Sequence, residues 1–191
     1  MKTRNVLSRL ALTLFAATQF SALAADTPKV GDKAPDFSLK GLDDKTVRLS
    51  ELTAKERVVL IVLRGWPGYQ CPVCDRQVQD FIKLAPAFSE AKARVVFVYP
   101  GPAQDLKAHA DEFVKMKNKQ WPKDFLFVTD PDFTMVNSYG LRWDAANETA
   151  YPSTFVLDLT GKVTFAKTSH SHGDRTKAAE VLTELGRASA K

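Results

Sequence analysis

Arg64-Gly65-Trp66-Pro67-Gly68-Tyr69-Gln70-Cys71-Pro72-Val73-Cys74 holds the only two cysteines of the 191-residue chain. The apolar, β-branched run Val58-Val59-Leu60-Ile61-Val62-Leu63 precedes it and reads as a strand covered on both faces. Gly65, Pro67 and Gly68 then place three turn formers in four positions. After Cys74 the apolar residues Val78, Phe81, Ile82 and Ala85 fall at helical spacing, on one face. Strand, turn, Cys-x-x-Cys and helix therefore follow one another directly.

That order has a chemical consequence. With Pro72 as the first helical residue, where a missing N–H costs nothing, Cys71 becomes the N-cap. Its sulfur then faces the unpaired amides of the first turn, at the end where the helix dipole favours negative charge. Such positions bring a thiol from about 8.5 into the range of roughly 3.5–7.5, and the thiolate is the attacking form. A structural disulfide is the weaker alternative, because closing so short a loop removes only about 2 kcal/mol of unfolded-state entropy. Zinc is weaker again, since His109, His170 and His172 lack the usual ligand spacing. Soft thiolates beside His170 and His172 leave a Cu(I) carrier as a further alternative. No cofactor and no resident metal is expected.

The first residues bear on compartment. Lys2, Arg4 and Arg9 precede a mostly apolar stretch from Leu10 to Phe20, and Ala22-Leu23-Ala24 offers small residues for cleavage. Residues 1–24 are expected to be a secretory signal peptide, and the apolar stretch is short of the ~20 residues a bilayer requires. Residues 25–191 are expected to form one domain, exported to the periplasm or cell envelope, with no stable membrane insertion after cleavage. The formal charge of +5 includes those three signal cations, so 5 − 3 = +2 remains for the mature chain. With no basic stripe and interleaved aromatics, a nucleic-acid partner is excluded.

Along the remaining chain, Phe37/Leu39 and Val47/Leu49 alternate as a short hairpin at a sheet edge. Pro86 should break or kink the cysteine helix. Val95 to Tyr99 and Phe125 to Val128 read as strands, Ala103 to Lys117 as a helix, and Phe133 to Tyr139 as a short one. Tyr151 to Asp158 and Val163 to Ala166 form a hairpin, and Asp174 to Leu185 closes the chain as a helix. Strands alternating with helices imply an α/β fold, a central mixed β-sheet with helices on both faces.

This ordered set, with Gly31 to Leu39 at the front and Ser153-Thr154-Phe155-Val156-Leu157-Asp158 near the end, resembles the thioredoxin-fold redoxins. It is similar to their alkyl hydroperoxide reductase/thiol-specific antioxidant group, over about Val30 to Leu185. The resemblance implies a thioredoxin fold with an extra N-terminal β-hairpin. It also implies a thiol oxidoreductase whose partner is a protein disulfide, a dithiol or a reductant, with a hydroperoxide as the other substrate class. Peroxiredoxins in the group carry Pro-x3-Thr/Ser-x2-Cys. Aligned on Pro67, Cys74 takes the peroxide-attacking place and Cys71 stands where the hydroxyl should be. Their arginine before the Ser-Thr-Phe strand is replaced by Pro152.

Cys71 and Pro152 at those places instead match the thioredoxin-like oxidoreductases. In these the resemblance implies a cis proline facing the disulfide. The main expectation is therefore dithiol/disulfide cycling, with Cys71 attacking, Cys74 resolving and Pro152 beside them. The alternative is a thiol peroxidase with Cys74 peroxidatic and Cys71 resolving. Arg64 is a candidate for the missing cation, against a solvated strand end; Trp66 and Tyr69 are candidates for docking a partner, against plain loop packing. Pro67 and Pro72 complete the expected thiolate environment.

Overall fold

The computed structural model describes residues 25–189; the expected signal peptide, residues 1–24, lies outside the described residues. Seven strands form one sheet in the order β2-β1-β5-β4-β3-β6-β7. Two parallel pairs make its centre: β3 (Arg57–Val62) beside β4 (Ala93–Gly101), and β4 beside β5 (Phe125–Pro131). The hairpin β6 (Ser153–Leu157) and β7 (Val163–Thr168) adds antiparallel to β3. At the other edge β1 (Ser38–Gly41) pairs antiparallel with β5 and with β2 (Thr46–Arg48), which is the expected N-terminal hairpin.

Alternation along β3 splits the core into two layers, as a strand buried on both faces requires. Val59, Ile61 and Leu63 join Phe97, Tyr99 and Phe127 on one face, with Val78, Phe81, Phe113, Val181 and Leu185 packed over them. These last residues come from α2 (Pro72–Lys83), α4 (Leu106–Lys115) and α6 (Ala178–Ser189). Val58, Leu60 and Val62 face the opposite layer, with Leu49 of α1 (Leu49–Thr53), Met135 and Val136 of α5 (Thr134–Ser138) and the leading Ala34 and Phe37. Pro86 acts as expected: α2 stops at Lys83 and α3 (Ala85–Glu90) starts anew.

Three boundaries differ from the sequence reading, each for a local reason. β4 runs through Pro100 and Gly101, because its last residues still align with Asp130 and Pro131 of β5. α4 starts at Leu106 rather than Ala103, after Asp105 turns left-handed at φ 55°. α6 starts at Ala178 rather than Asp174, because the preceding residues are held in a loop against α2. Among the described residues no helix is long and apolar enough to cross a membrane.

Candidate active site

Cys71 sits where the first turn of α2 leaves its amides unpaired. It adopts extended geometry at φ −74° and ψ 113°, with Pro72 as the first helical residue. Its Sγ accepts the Cys74 N–H at 3.3 Å. The expected N-cap is thus in place, and it separates the two sulfurs electrostatically. Cys71 is pulled down to about 5, chiefly by the hydrogen bond from the Cys74 thiol. Burial opposes this, while the Cys74 and Val73 amides and the Arg175 charge reinforce it. Cys74 moves the other way: burial pushes it well above the ordinary thiol range, and its bond to Cys71 keeps the proton on. Both cysteines are free thiols. One sulfur is prepared as an anion and the other as its proton donor.

The surroundings are built by several elements. Trp66 N–H donates to Pro100 O at 2.8 Å, and the Trp66 ring stacks on His109 of α4 with centroids 3.6 Å apart. Gln70 donates to His109 O at 2.9 Å and accepts from the buried Tyr99 hydroxyl at 2.8 Å. Arg64 anchors the far side of the loop. Its side chain is buried, and its guanidinium reaches Glu148 at 2.5 Å and both the Tyr69 hydroxyl and Asn147 O at 2.6 Å. Glu148 also meets His172 at 2.8 Å; burial would raise its carboxyl, but Arg64 and His172 hold it below the usual range. Beneath this covering Cys71 is 2% exposed and Cys74 0%.

Asp75, next to the thiols, is neutralised rather than repulsive. Lys117 and Lys119 each place Nζ 2.7 Å from its carboxylate. Burial would raise this group, and the lysine hydrogen bonds overcome that. From the other side the loop before α6 brings Arg175, whose Nη1 lies 3.5 Å from Cys74 Sγ and 3.2 Å from Gln77 Oε1.

A family model described as Redoxin matches residues 29–182, most of the chain. This chain is a redoxin. The redoxin is 27% identical over 160 residues to thiol-disulfide oxidoreductase ResA of Geobacillus thermodenitrificans, covering 83% of this chain and 78% of that protein. With peroxiredoxin Bcp of Bacillus subtilis it shares 27% over 143 residues, covering 72% and 83%. The solved structure of peroxidoxin BcpB from Mycobacterium tuberculosis matches with a TM-score of 0.64 at 24% identity, over 85% of this chain and 97% of that one. The seven-stranded sheet of the redoxin, flanked by helices, is a thioredoxin fold with an added N-terminal hairpin.

The structure of the redoxin gathers Cys71, Cys74, Pro72, Arg64, Trp66, Pro67 and Tyr69 at the end of β3, as their sequence proximity required. Arg64 is not a solvated terminus: three partners close over it. Tyr69 remains 47% exposed although Arg64 lies 5.1 Å from its ring centre. Pro152 precedes β6, which pairs with β3 at Ser153 opposite Val62, so it stands at the same sheet end as the thiols. The expected cis bond is corrected: among the described residues no peptide is cis. Tyr151 N–H donates to Leu141 O and Pro152 O accepts from Ser169, so pairing on both sides keeps the chain extended. His170 and His172 do not join the thiols. His170 lies against Tyr151, and among the described residues no group of three or more acidic, histidine or cysteine side chains is arranged to hold a metal ion.

Proposed function

We propose that this redoxin is a thiol-disulfide oxidoreductase in which Cys71 is the attacking sulfur and Cys74 the resolving one. The observation carrying the reading is the opposite shift of the two thiols, Cys71 down to about 5 and Cys74 upward. Cys71 thiolate attacks a partner's disulfide, forming a mixed disulfide and releasing one partner thiolate. Cys74 then attacks Cys71 Sγ, the intramolecular disulfide forms, and the second partner thiolate leaves. Two electrons pass from the dithiol to the partner, and an external dithiol resets the pair. Trp66 and Tyr69 supply the apolar rim against which a partner docks, and Pro152 flanks it. The kinship to ResA supports the same assignment.

Residues 25–191 are proposed to act as one exported domain, on the strength of the basic, apolar and small-residue order in residues 1–24. The periplasm or envelope is the compartment in which such a pair meets protein disulfides.

A peroxidase reading keeps one support, the Pro67-to-Cys74 spacing together with the Bcp kinship. Against it, Cys74 holds its proton at neutral pH. Two measurements decide. Cys71→Ser is expected to abolish insulin-type disulfide reduction, and retained activity overturns the assignment. Stopped-flow oxidation by hydrogen peroxide is expected at the rate of an ordinary thiol; a rate orders of magnitude faster, lost in Cys74→Ser, would establish the peroxidase.

A further inference from the structure

The resolving sulfur carries a difficulty that the N-cap does not relieve. Cys74 is fully buried, and although Cys71, once bound in a mixed disulfide, no longer holds the proton on it, burial still disfavours its thiolate. It must nevertheless lose its proton to attack. The ionisable groups facing it are Cys71 on its own turn, Tyr99 of β4, whose phenol burial raises further above its ordinary alkaline value, and Arg175. Asp75, the next residue, is committed to Lys117 and Lys119.

Arg175 is delivered from a long way along the chain and held firmly. Gln77 donates to Thr176 O at 3.3 Å and accepts from Arg175 Nη1, while Asp80 accepts the Ala178 N–H at 2.8 Å. Arg175 Nε donates to His172 O at 3.0 Å, which fixes the plane of the guanidinium. Nη1 lies against Cys74 Sγ, and Nη2 is buried with no hydrogen-bond partner. A cation with an uncommitted buried donor, clamped beside a sulfur that must become negative, is arranged for the charge that develops rather than for the resting thiol.

We propose that Arg175 is a catalytic residue of the resolving step, carrying the thiolate of Cys74 as it forms. The proposal rests on Cys71 being the attacking sulfur. Cys74 gives its proton to water, its Sγ bonds to Cys71 Sγ, and the bond from Cys71 Sγ to the partner's sulfur breaks. The partner leaves as thiolate.

The test separates the two thiols in time. The reduced protein is mixed with one equivalent of dithiobis(nitrobenzoate) and thionitrobenzoate release is followed by stopped flow. The first release reports attack by Cys71 and the second reports resolution by Cys74. In Arg175→Gln the second phase is expected to slow about tenfold at neutral pH, the equivalent of one pKa unit, and its pH midpoint to rise. Arg175→Lys is expected to restore part of both, which a purely structural role would not do. An unchanged second phase and midpoint in Arg175→Gln would overturn the proposal. If Cys71→Ser still releases thionitrobenzoate at the rate of the normal first phase, the assignment of the attacking sulfur is what fails.

Discussion

The Trp66 indole lies flat on the His109 imidazole, ring centroids 3.6 Å apart and planes within 10°. This stack, with the Gln70 hydrogen bonds to Tyr99 and α4, clips the loop down over Cys71. It explains how a sulfur prepared as an anion is only 2% exposed. Reaction requires the clip to open, so accessibility and acidity of Cys71 are governed by different contacts.

Trp66→Ala should therefore raise the rate at which iodoacetamide alkylates Cys71 while leaving its pH midpoint in place. An aromatic stack is worth about 0.5–1.5 kcal/mol, which corresponds to a roughly two- to tenfold increase in the open population. Alkylation rates across pH, with the modified residue identified by mass spectrometry, check it. An unchanged rate would mean the stack does not gate the thiol.

Thiolate absorbance in the ultraviolet should titrate near pH 5 for the reduced protein, and that step should vanish in Cys71→Ser. Linkage makes a second consequence. The folded value of Cys71 lies below the ordinary thiol value of 9.0, so its contribution is full above that value and is lost as pH falls through about 5. Between pH 5 and 8 the reduced protein should gain stability over Cys71→Ser, by at most about 1.4 kcal/mol per pH unit. Cys74, shifted upward, opposes this only at more alkaline pH. Urea unfolding of both proteins at several pH values measures the difference, and a flat difference would contradict the shift.

The same thiolate stabilisation favours the dithiol over the disulfide. Thioredoxin, with its cysteine near 7, sits at about −270 mV; this pair should have a less negative potential. Equilibration with glutathione redox buffers gives the value directly.

What could be read from sequence follows the range of the interactions. β3 and α2 declare themselves through local periodicity, and Pro72 alone places Cys71 at the cap. Arg175 could not be found that way: it lies 101 residues from Cys74, in a loop whose position depends on Gln77 and Asp80. Glu148 lies 84 residues from Arg64, and nothing near either residue in sequence announces the pair. The resemblance implies a cis bond at Pro152, but the backbone there pairs with Leu141 and Ser169, which come from separate segments that nothing near Pro152 in sequence announces.

Arg64 and Glu148 form a pair with side chains 3% and 11% exposed. Removing one partner of such a pair leaves a charge with little water to solvate it, at a cost of about 3–5 kcal/mol. Arg64→Met should lose that much stability and also free Tyr69 and Asn147. The double variant Arg64→Met/Glu148→Gln should recover part of it. Denaturant unfolding of the unmodified protein, Arg64→Met, Glu148→Gln and the double variant makes a double-mutant cycle, and additive losses would show that the two side chains do not act as a pair.

Two glycines of the loop distinguish backbone conformation from close approach. Gly65 has φ +75°, and a Cβ there would lie 1.9 Å from Pro100 O, so β4 or the loop would have to move. Gly68 has φ +106°, yet a Cβ there meets nothing within 4 Å. Gly68→Ala should cost only the conformational strain, about 1–3 kcal/mol, and leave Cys71 titrating near its native value. Gly65→Ala adds a clash with backbone that no rotamer change relieves. It should break the Trp66 N–H bond to Pro100 O, displace the loop from α4 and expose Cys71 to iodoacetamide. Unfolding midpoints and alkylation rates for the two variants test this, and equal effects would place the loop's constraint in its φ angles rather than in its contact with β4.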